Sequence, residues 1–547
     1  MNATRYDAIV VGGGHNGLVS AAYLAKAGLK TLVLERRHLL GGATVTEEVW
    51  PGYKISTASY VVSLMSARII QGLDLVRYGY HVYPLDPAYF APFPEGDGFL
   101  LWDDPVKAAE EIRKINKHDG DNYVAYSNAL FELAEIIRPL LYVTPPDPRL
   151  ASMRDLGRGM NLGRQLVKSR KHLPRLVDLM TMSAADFLDR YFTDDRVKGA
   201  LALGSVIGAW AGPMSPGTAY VLMHHRMGEI EGVSGGWGFV RGGMGALSEC
   251  IAMAARAAGA EIRTEASVSS IDVRAGATTG VTLEDGTQLQ ADLVLSSVHP
   301  QTTFLSLVGR EHLPAELVAD IEVYRTRSPA AKINMVLSEL PDLVARPGKE
   351  AGPQHPEIVI SPSLEYLEQA WDDVKYGRIS EKPMIDAVIP STKDPTLAPE
   401  GEYVMTCFVQ YVPYQPSDGD WDDARRDALG DLVVDTLAEY APNIKNAVVH
   451  RQVLTPVDLE ERFGLLGGNI FQGEIALDQL FSLRPSAYAS DYGTPVKGLY
   501  LCGSGVHPGG GVMGIPGLNS ARKVLFDRKS RLTRRRKPGR RSGRTGP

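Results

Sequence analysis

Short apolar runs bounded by glycine or charge recur along the chain at Tyr6–Val11, Thr31–Leu34, Ala291–Ser297 and Leu499–Cys502. Runs of this length, rich in β-branched residues, read as strands buried on both faces of a parallel sheet. Between the first two, Leu18–Ala27 sets Ala21, Ala22 and Ala25 at helical spacing and ends at Gly28. It predicts a helix with one small face that packs close to the sheet. Further on, GGMGAL opens a predicted helix through Ala258, and Glu261–Thr264 follows as a strand. The alternation Val281-Thr-Leu-Glu-Asp-Gly-Thr-Gln-Leu289 predicts a hairpin turning at Asp285-Gly286.

Glycines and one acid give the first of these units a chemical meaning. Gly12, Gly14 and Gly17 stand in GxGxxG spacing between the first strand and the helix, and Glu35 closes the second strand. Strand, glycine turn, helix, strand and acid within about 30 residues is the order of a dinucleotide-binding βαβ unit. Gly12 permits the tight turn, Gly14 lets the backbone approach a pyrophosphate, and Gly17 lets helix and strand pack closely. The helix N-terminus offers free N–H groups to phosphate. Glu35 is placed to accept hydrogen bonds from both ribose hydroxyls. Arg36 is a candidate for stacking near an adenine or contacting a phosphate, whereas Arg37 reads as solvated.

After Glu35 come five residues and then Gly41-Gly42, where the backbone can pass the pyrophosphate a second time. This spacing resembles that of glutathione-reductase-like FAD proteins and favours FAD over NAD. The distant segment GLYLCGSGVHPGGGVMGIPGLNSARKVLF predicts a strand, a sharp turn at Gly503-Ser504-Gly505 and a helix from about Met513. With the GGWGFVRGGMGALSECIAMAARAAGAEIRTEASVSSI stretch, it resembles the phytoene desaturase and carotenoid ketolase family of FAD oxidoreductases. The resemblance covers nearly the whole chain except its basic end.

That resemblance implies an α/β fold, with a glutathione-reductase-like FAD-binding Rossmann domain and an interleaved α+β substrate domain. The FAD domain is expected over 1–105, 230–305 and 455–527, and the substrate domain over 106–229 and 306–454. The first substrate segment reads as helical and the second as the source of a mixed sheet. Gly503, Ser504, Val512 and Met513 are expected against the flavin, and the backbone of Val268 against the adenine. The implied activity is a flavin-dependent dehydrogenase, desaturase or oxidase acting on a small, hydrophobic organic molecule, with oxygen or a quinone-like compound as acceptor. Apolar stretches at Ala200–Trp210 and Phe408–Tyr414 are candidates for the substrate pocket. The alternatives are an enzyme of flavin amine oxidase type, or a catalytically weak FAD protein that acts through protein partners.

FAD accepts hydride itself, so few side chains are required for chemistry. Lys332, on the run Ala331–Leu337, matches in topological position a lysine that holds a water at flavin N5 in amine oxidases. His507, in the loop GSGVHPGGG, is a second catalytic candidate; a structural hydrogen bond to backbone is its other reading. His224-His225 lack the further ligands of a metal site, and none is expected. Cys250, Cys407 and Cys502 are scattered, so neither a disulfide framework nor a redox-active pair is available. No second complete GxGxxG unit supplies an NAD(P)H site.

Charge divides the chain sharply. The −6 of the whole separates into +10 for 528–547, which holds ten Lys or Arg and no acid, and −16 for the body. This end reads as a disordered basic tail. Peripheral contact with an anionic membrane and simple solubilisation are its two readings; nucleic acid is not favoured. The weakly polar stretch Gly199–Gly212 is shorter than the ~20 residues a bilayer requires, and the cytoplasm is the expected location. The purified protein is predicted to be yellow and to release FAD on acid precipitation. Release of FMN, or a colourless protein that cannot be reconstituted with FAD, would refute the assignment.

Overall fold

The computed structural model describes residues 5–149 and 153–535. Two seven-stranded sheets organise it. The first is built around Arg5–Val11, which pairs in parallel with Thr31–Leu34 on one side and Gln288–Ser296 on the other. Glu261–Arg263 extends the parallel arrangement beyond Thr31–Leu34. Leu499–Leu501 joins Gln288–Ser296, also in parallel. The expected hairpin is present: Ala277–Leu283 runs antiparallel to Gln288–Ser296 across Gly286, whose φ is +82°. All seven residues of Arg5–Val11 but Arg5 and Asp7 are buried, as the unbroken apolar run predicts.

The helix His15–Lys26 follows the first strand and packs against the helices Met244–Ala257 and Ile515–Arg535. Gly17 is what lets it lie so close. A Cβ there would stand 2.2 Å from the carbonyl oxygen of Gly12. Every residue of this helix from His15 to Leu24 except Tyr23 is buried, which explains the choice of alanines along it.

The second sheet runs in the order Val448–Leu454, Ala330–Leu337, Tyr403–Gln410, Met384–Val388, Glu357–Ile360, Tyr89–Pro92 and Gly98–Leu101. Its pairs are antiparallel apart from the single parallel contact of Ile358 with Phe90. Helices over 105–137, 153–168, 173–206 and 218–224 build the other part of this half, so the helical first segment and sheet-forming second segment are found as expected. The adjacent strands 330–337, 403–410 and 384–388 are buried at every position but Tyr403.

Two boundaries differ from those read in the sequence. Tyr89–Pro92 and Gly98–Leu101 lie within the span 1–105 assigned to the FAD domain, yet they form the edge of the second sheet. Both are short apolar runs, and only their pairing decides which sheet receives them. The second difference is at the C-terminal end, where the helix Ile515–Arg535 carries through the first eight residues of the expected disordered tail. No proline or glycine occurs from Leu518 to Lys537, and Arg, Lys and Leu are good helix formers. The remainder, 536–547, lies outside the described residues. Among the described residues no helix is long and apolar enough to cross a membrane.

Gly17→Ala tests the helix–strand contact. Alanine favours a helix interior over glycine by roughly 0.5–1 kcal/mol. Overpacking against a rigid backbone costs about 1–3 kcal/mol, so the clash should win. A lower melting temperature with reduced flavin content is expected in a thermal unfolding scan, and an unchanged melt would show that the helix can step back.

Candidate active site

One cavity of about 630 Å³ joins the two sheets' walls. That volume lies within the ~300–1,000 Å³ usual for cofactor and ligand sites. Its lining comes from segments far apart in sequence. Gly12, Gly14, Glu35, Arg36, Gly41 and Gly42 belong to the first βαβ unit and the loop after it. Val268, Ser504 and Val512 come from the middle and the end of the chain, and Lys332 from the second sheet.

The nucleotide-binding side shows what kind of group it suits. Gly14 caps the helix His15–Lys26 with no side-chain hydrogen bond, and no acid sits in the first turn. The first N–H groups and the positive end of the helix dipole are therefore left for an anion. Gly13 O accepts from Gly41 N at 2.9 Å, which holds the second glycine pair beside the first loop. A Cβ on Gly42 would stand 3.4 Å from Gly14 Cα, so the two glycine segments face each other at close backbone approach. His15 Nε2 and Asn16 Oδ1 are buried here without a protein partner. Burial pulls the His15 imidazole down to about 4, so the ring is neutral.

Glu35 is buried at the end of its strand, and its carboxylate is already aimed. Oε2 accepts from Gly13 N at 2.8 Å and Oε1 from Arg37 N at 2.9 Å. Each oxygen retains a lone pair for a vicinal diol. A glycine-walled anion cradle next to an oriented carboxylate fits the pyrophosphate and ribose of FAD.

The other expected contacts divide. Val268 begins the strand Val268–Arg274 and lines the cavity, as do Ser504 and Val512. Asn16 Nδ2 donates to Ser504 Oγ at 3.0 Å, which ties the two ends of the chain together beside the glycine turn. Gly503, Gly17 and Met513 stand behind the wall. A Cβ on Gly503 would meet Ser297 O at 2.3 Å, and Met513 is buried in the core. Arg36 lines the cavity, but its guanidinium donates to the carbonyls of Glu461 and Arg462 at 3.1 and 3.4 Å. Arg37, read as solvated, instead pairs with Glu47 at 2.6 Å and lies over the Phe463 ring. An adjacent acid and ring supplied by other segments captured it.

His507 is not part of the cavity wall. Its Nε2 lies 3.0 Å from Leu140 O, its ring meets Phe481 edge-on, and burial pulls it down to about 4. The geometry gives it a structural hydrogen bond in place of a catalytic task. His225 reaches the cavity, with Nδ1 held by Val221 O at 2.9 Å and its ring stacked on Trp237. His224 packs behind it, and no cluster of metal-ligating side chains occurs among the described residues.

Lys332 is 2% exposed, and its Nζ has no hydrogen-bond partner. The ammonium stands 3.8 Å from the centre of the Tyr60 ring, a cation–π contact. Burial lowers its pKa to about 7, partly offset by the acids nearby. Tyr60 also stacks on Phe408, and its hydroxyl donates to Asp386 at 2.5 Å.

Four residues that shape this site stand in no recognisable motif. Tyr60 sits in the largely apolar stretch Ala58–Met65. Asp386 and Glu357 could have been suspected as lone acids in the otherwise apolar runs MIDAV and EIVI. Arg484 is fully buried and donates to the carbonyls of Phe471, Gly473, Glu474, Gln479 and Ser504. It pins the glycine-rich C-terminal loop to the segment before it. Its charge adds to burial in holding His299, on the cavity wall, down at about 3.

Residues 17–517 match the family described as flavin containing amine oxidoreductase. A rat protein named pyridine nucleotide-disulfide oxidoreductase domain-containing protein 2 is 42% identical, the match covering 96% of this chain and 94% of that one. A lycopene-forming phytoene desaturase of Pseudescherichia vulneris is 25% identical over 93% of this chain and 96% of its own. Cyclohexylamine oxidase from Brevibacterium oxydans has the same fold, with a TM-score of 0.56 at 16% identity over 97% of this chain and 100% of that one.

Glu35→Ala is expected to weaken FAD binding about 10- to 100-fold, the ~1.5–3 kcal/mol of a charge-assisted hydrogen bond. The measurement is fluorescence titration of the apoprotein. The flavin-dependent rise in melting temperature should shrink in parallel. Unchanged affinity would place the ribose elsewhere.

Proposed function

This chain belongs to the flavin containing amine oxidoreductase family, and from that premise we propose that it oxidises a small, apolar organic molecule with FAD. When bound, FAD supplies the two-electron acceptor. We read the first sheet as a glutathione-reductase-like nucleotide fold, a reading supported by the parallel strands flanked by the hairpin. The observation that carries the functional proposal is the continuity of the cavity. The cradle for a dinucleotide and a pocket walled by Leu64, Ile207, Trp237, Phe408, Ile470 and Phe471 are one space. Apolar walls exclude water, which strengthens every electrostatic interaction inside and shields a reactive centre. An amine substrate is a second reading, supported by the family itself.

Lys332 is proposed to act beside the redox-active part of the cofactor. Its support is its place on the cavity wall, its burial and its free ammonium. Held there by Tyr60, the side chain can orient a water or present a positive charge to oxygen. The rest of the chain's task is orientation, with Glu35 fixing the ribose and the Gly14 helix cap holding the phosphates.

Electrons are proposed to come from the organic substrate. Cys250, Cys407 and Cys502 are buried and unpaired, so no dithiol stands ready to relay them from NADPH. NADPH is expected to reduce the anaerobic holoenzyme slowly or not at all in stopped flow, and reduction at turnover-like rates would overturn this scheme. Lys332→Met is expected to slow reoxidation of the photoreduced enzyme by oxygen with FAD affinity unchanged. An unchanged oxygen rate would remove only the lysine's role.

A further inference from the structure

A buried chain of acidic groups leads away from the cavity beside Lys332. Phe408 on Tyr403–Gln410 stands opposite Lys332 on one side and Asp386 on the other, so all three share one face of the second sheet. On the next strand Val359 is opposite Asp386, and Val388 is opposite Glu357. Asp386 and Glu357 are thus diagonal neighbours on that face, within hydrogen-bonding reach of each other. Both are buried.

Asp386 Oδ1 and Glu357 Oε2 have no hydrogen-bond partner. Ionised carboxylates only accept, so two of them would bury adjacent like charges with neither oxygen satisfied. One proton between them supplies the missing donor and removes one charge. Burial lifts both carboxyls above their usual range, Glu357 further because Asp386 is beside it. The other titratable groups facing the pair are Tyr60, Lys332 and Tyr89, whose hydroxyl donates to Ala200 O; Cys407, on the opposite face of its strand, is a neutral thiol that burial pushes up to about 12. The shared proton leaves one negative charge on the pair, which Lys332 balances in its protonated form.

Tyr60 connects this pair to the cavity. Its ring lies in the cavity wall, and its hydroxyl donates to Asp386 Oδ2 at 2.5 Å. We propose that Tyr60, Asp386 and Glu357 form a proton relay that removes the N–H or O–H proton of an amine or alcohol substrate as the adjacent carbon is oxidised. This rests on the reading above that the chain oxidises an organic molecule with FAD. The carbon–hydrogen bond breaks with its electron pair, a hydride that FAD, when bound, would accept. The N–H or O–H bond breaks to make the new carbon–nitrogen or carbon–oxygen double bond. Its proton passes to Tyr60 Oη while the tyrosine's own proton moves to Asp386 Oδ2. The carboxyl pair thereby goes from one proton to two. Burial and the acids hold the Tyr60 hydroxyl far from ionisation, so the two transfers occur together and no tyrosinate forms.

The relay can be tested without knowing the substrate. Oxidised holoenzyme is mixed rapidly from water into D₂O near neutral pH, and the infrared C=O stretch of protonated carboxyl groups is followed. The wild type is expected to show such a band and to exchange it in a fast phase; Glu357→Gln abolishes the band, whereas Asp386→Asn keeps it, because burial alone holds Glu357 protonated, but loses the fast phase with the link to Tyr60. Tyr60→Phe should retain the band and lose the fast phase, because the ring stays and the hydroxyl goes. Absence of the band in the wild type, or fast exchange persisting in Tyr60→Phe, overturns the proposal. If the Asp386 variant does not fold, Glu357→Gln and Tyr60→Phe decide the question alone. Failure of every organic donor to reduce the flavin would instead defeat the oxidoreductase reading, leaving band and exchange unchanged.

Discussion

Backbone contact without an intervening Cβ is the constraint on which the site depends. The carbonyl of Gly12 lies where a side chain on Gly17 would be, and the carbonyl of Asn16 would stand 2.1 Å from a Cβ on Gly517. The first turn, the first helix and the last helix therefore meet main chain to main chain. Side chains of any size would push the helix Ile515–Arg535 off the helix His15–Lys26. The loop over 503–514 would move with it. Residues near opposite ends of the chain, such as Asn16 and Ser504, bond directly only because this approach is allowed.

The interior that results holds charge, and each buried charge is met in a different way. Arg484 has no carboxylate beside it; five backbone carbonyls surround it, which spreads the cost of its burial over many dipoles. Lys332 is met by the face of Tyr60 and by a carboxyl pair across the sheet. Isolated ions in such a setting would cost several kcal/mol each even after relaxation. Their retention where apolar side chains would pack well marks this region as more than core.

Local chemistry made the nucleotide-binding unit legible. Its turn, cap, helix and acid lie within thirty-one residues, from Arg5 to Glu35, and are fixed by contacts between near neighbours. The hairpin over 277–296 was legible for the same reason, since the turn at Gly286 sets its register. The helical and sheet-forming characters of the two inserted segments also follow from periodicity. Two placements did not follow: the edge strands Tyr89–Pro92 and Gly98–Leu101, and Arg37. In each case the sequence offers a competent element and a distant partner decides where it goes.

By family resemblance the C-terminal loop was expected beside the first unit; the sequence by itself determined that a dinucleotide fold is present. It could do so because backbone conformation and helix polarity are local properties. Only the tertiary structure decided that His507 turns to Leu140, that Lys332 is buried without a hydrogen bond, and that Tyr60 bridges it to Asp386 and Glu357. Those facts depend on which strands are neighbours and which face each presents. Pairing between strands from residue 330 to residue 410 is set by the summed burial of the whole sheet, so no window of the sequence contains it.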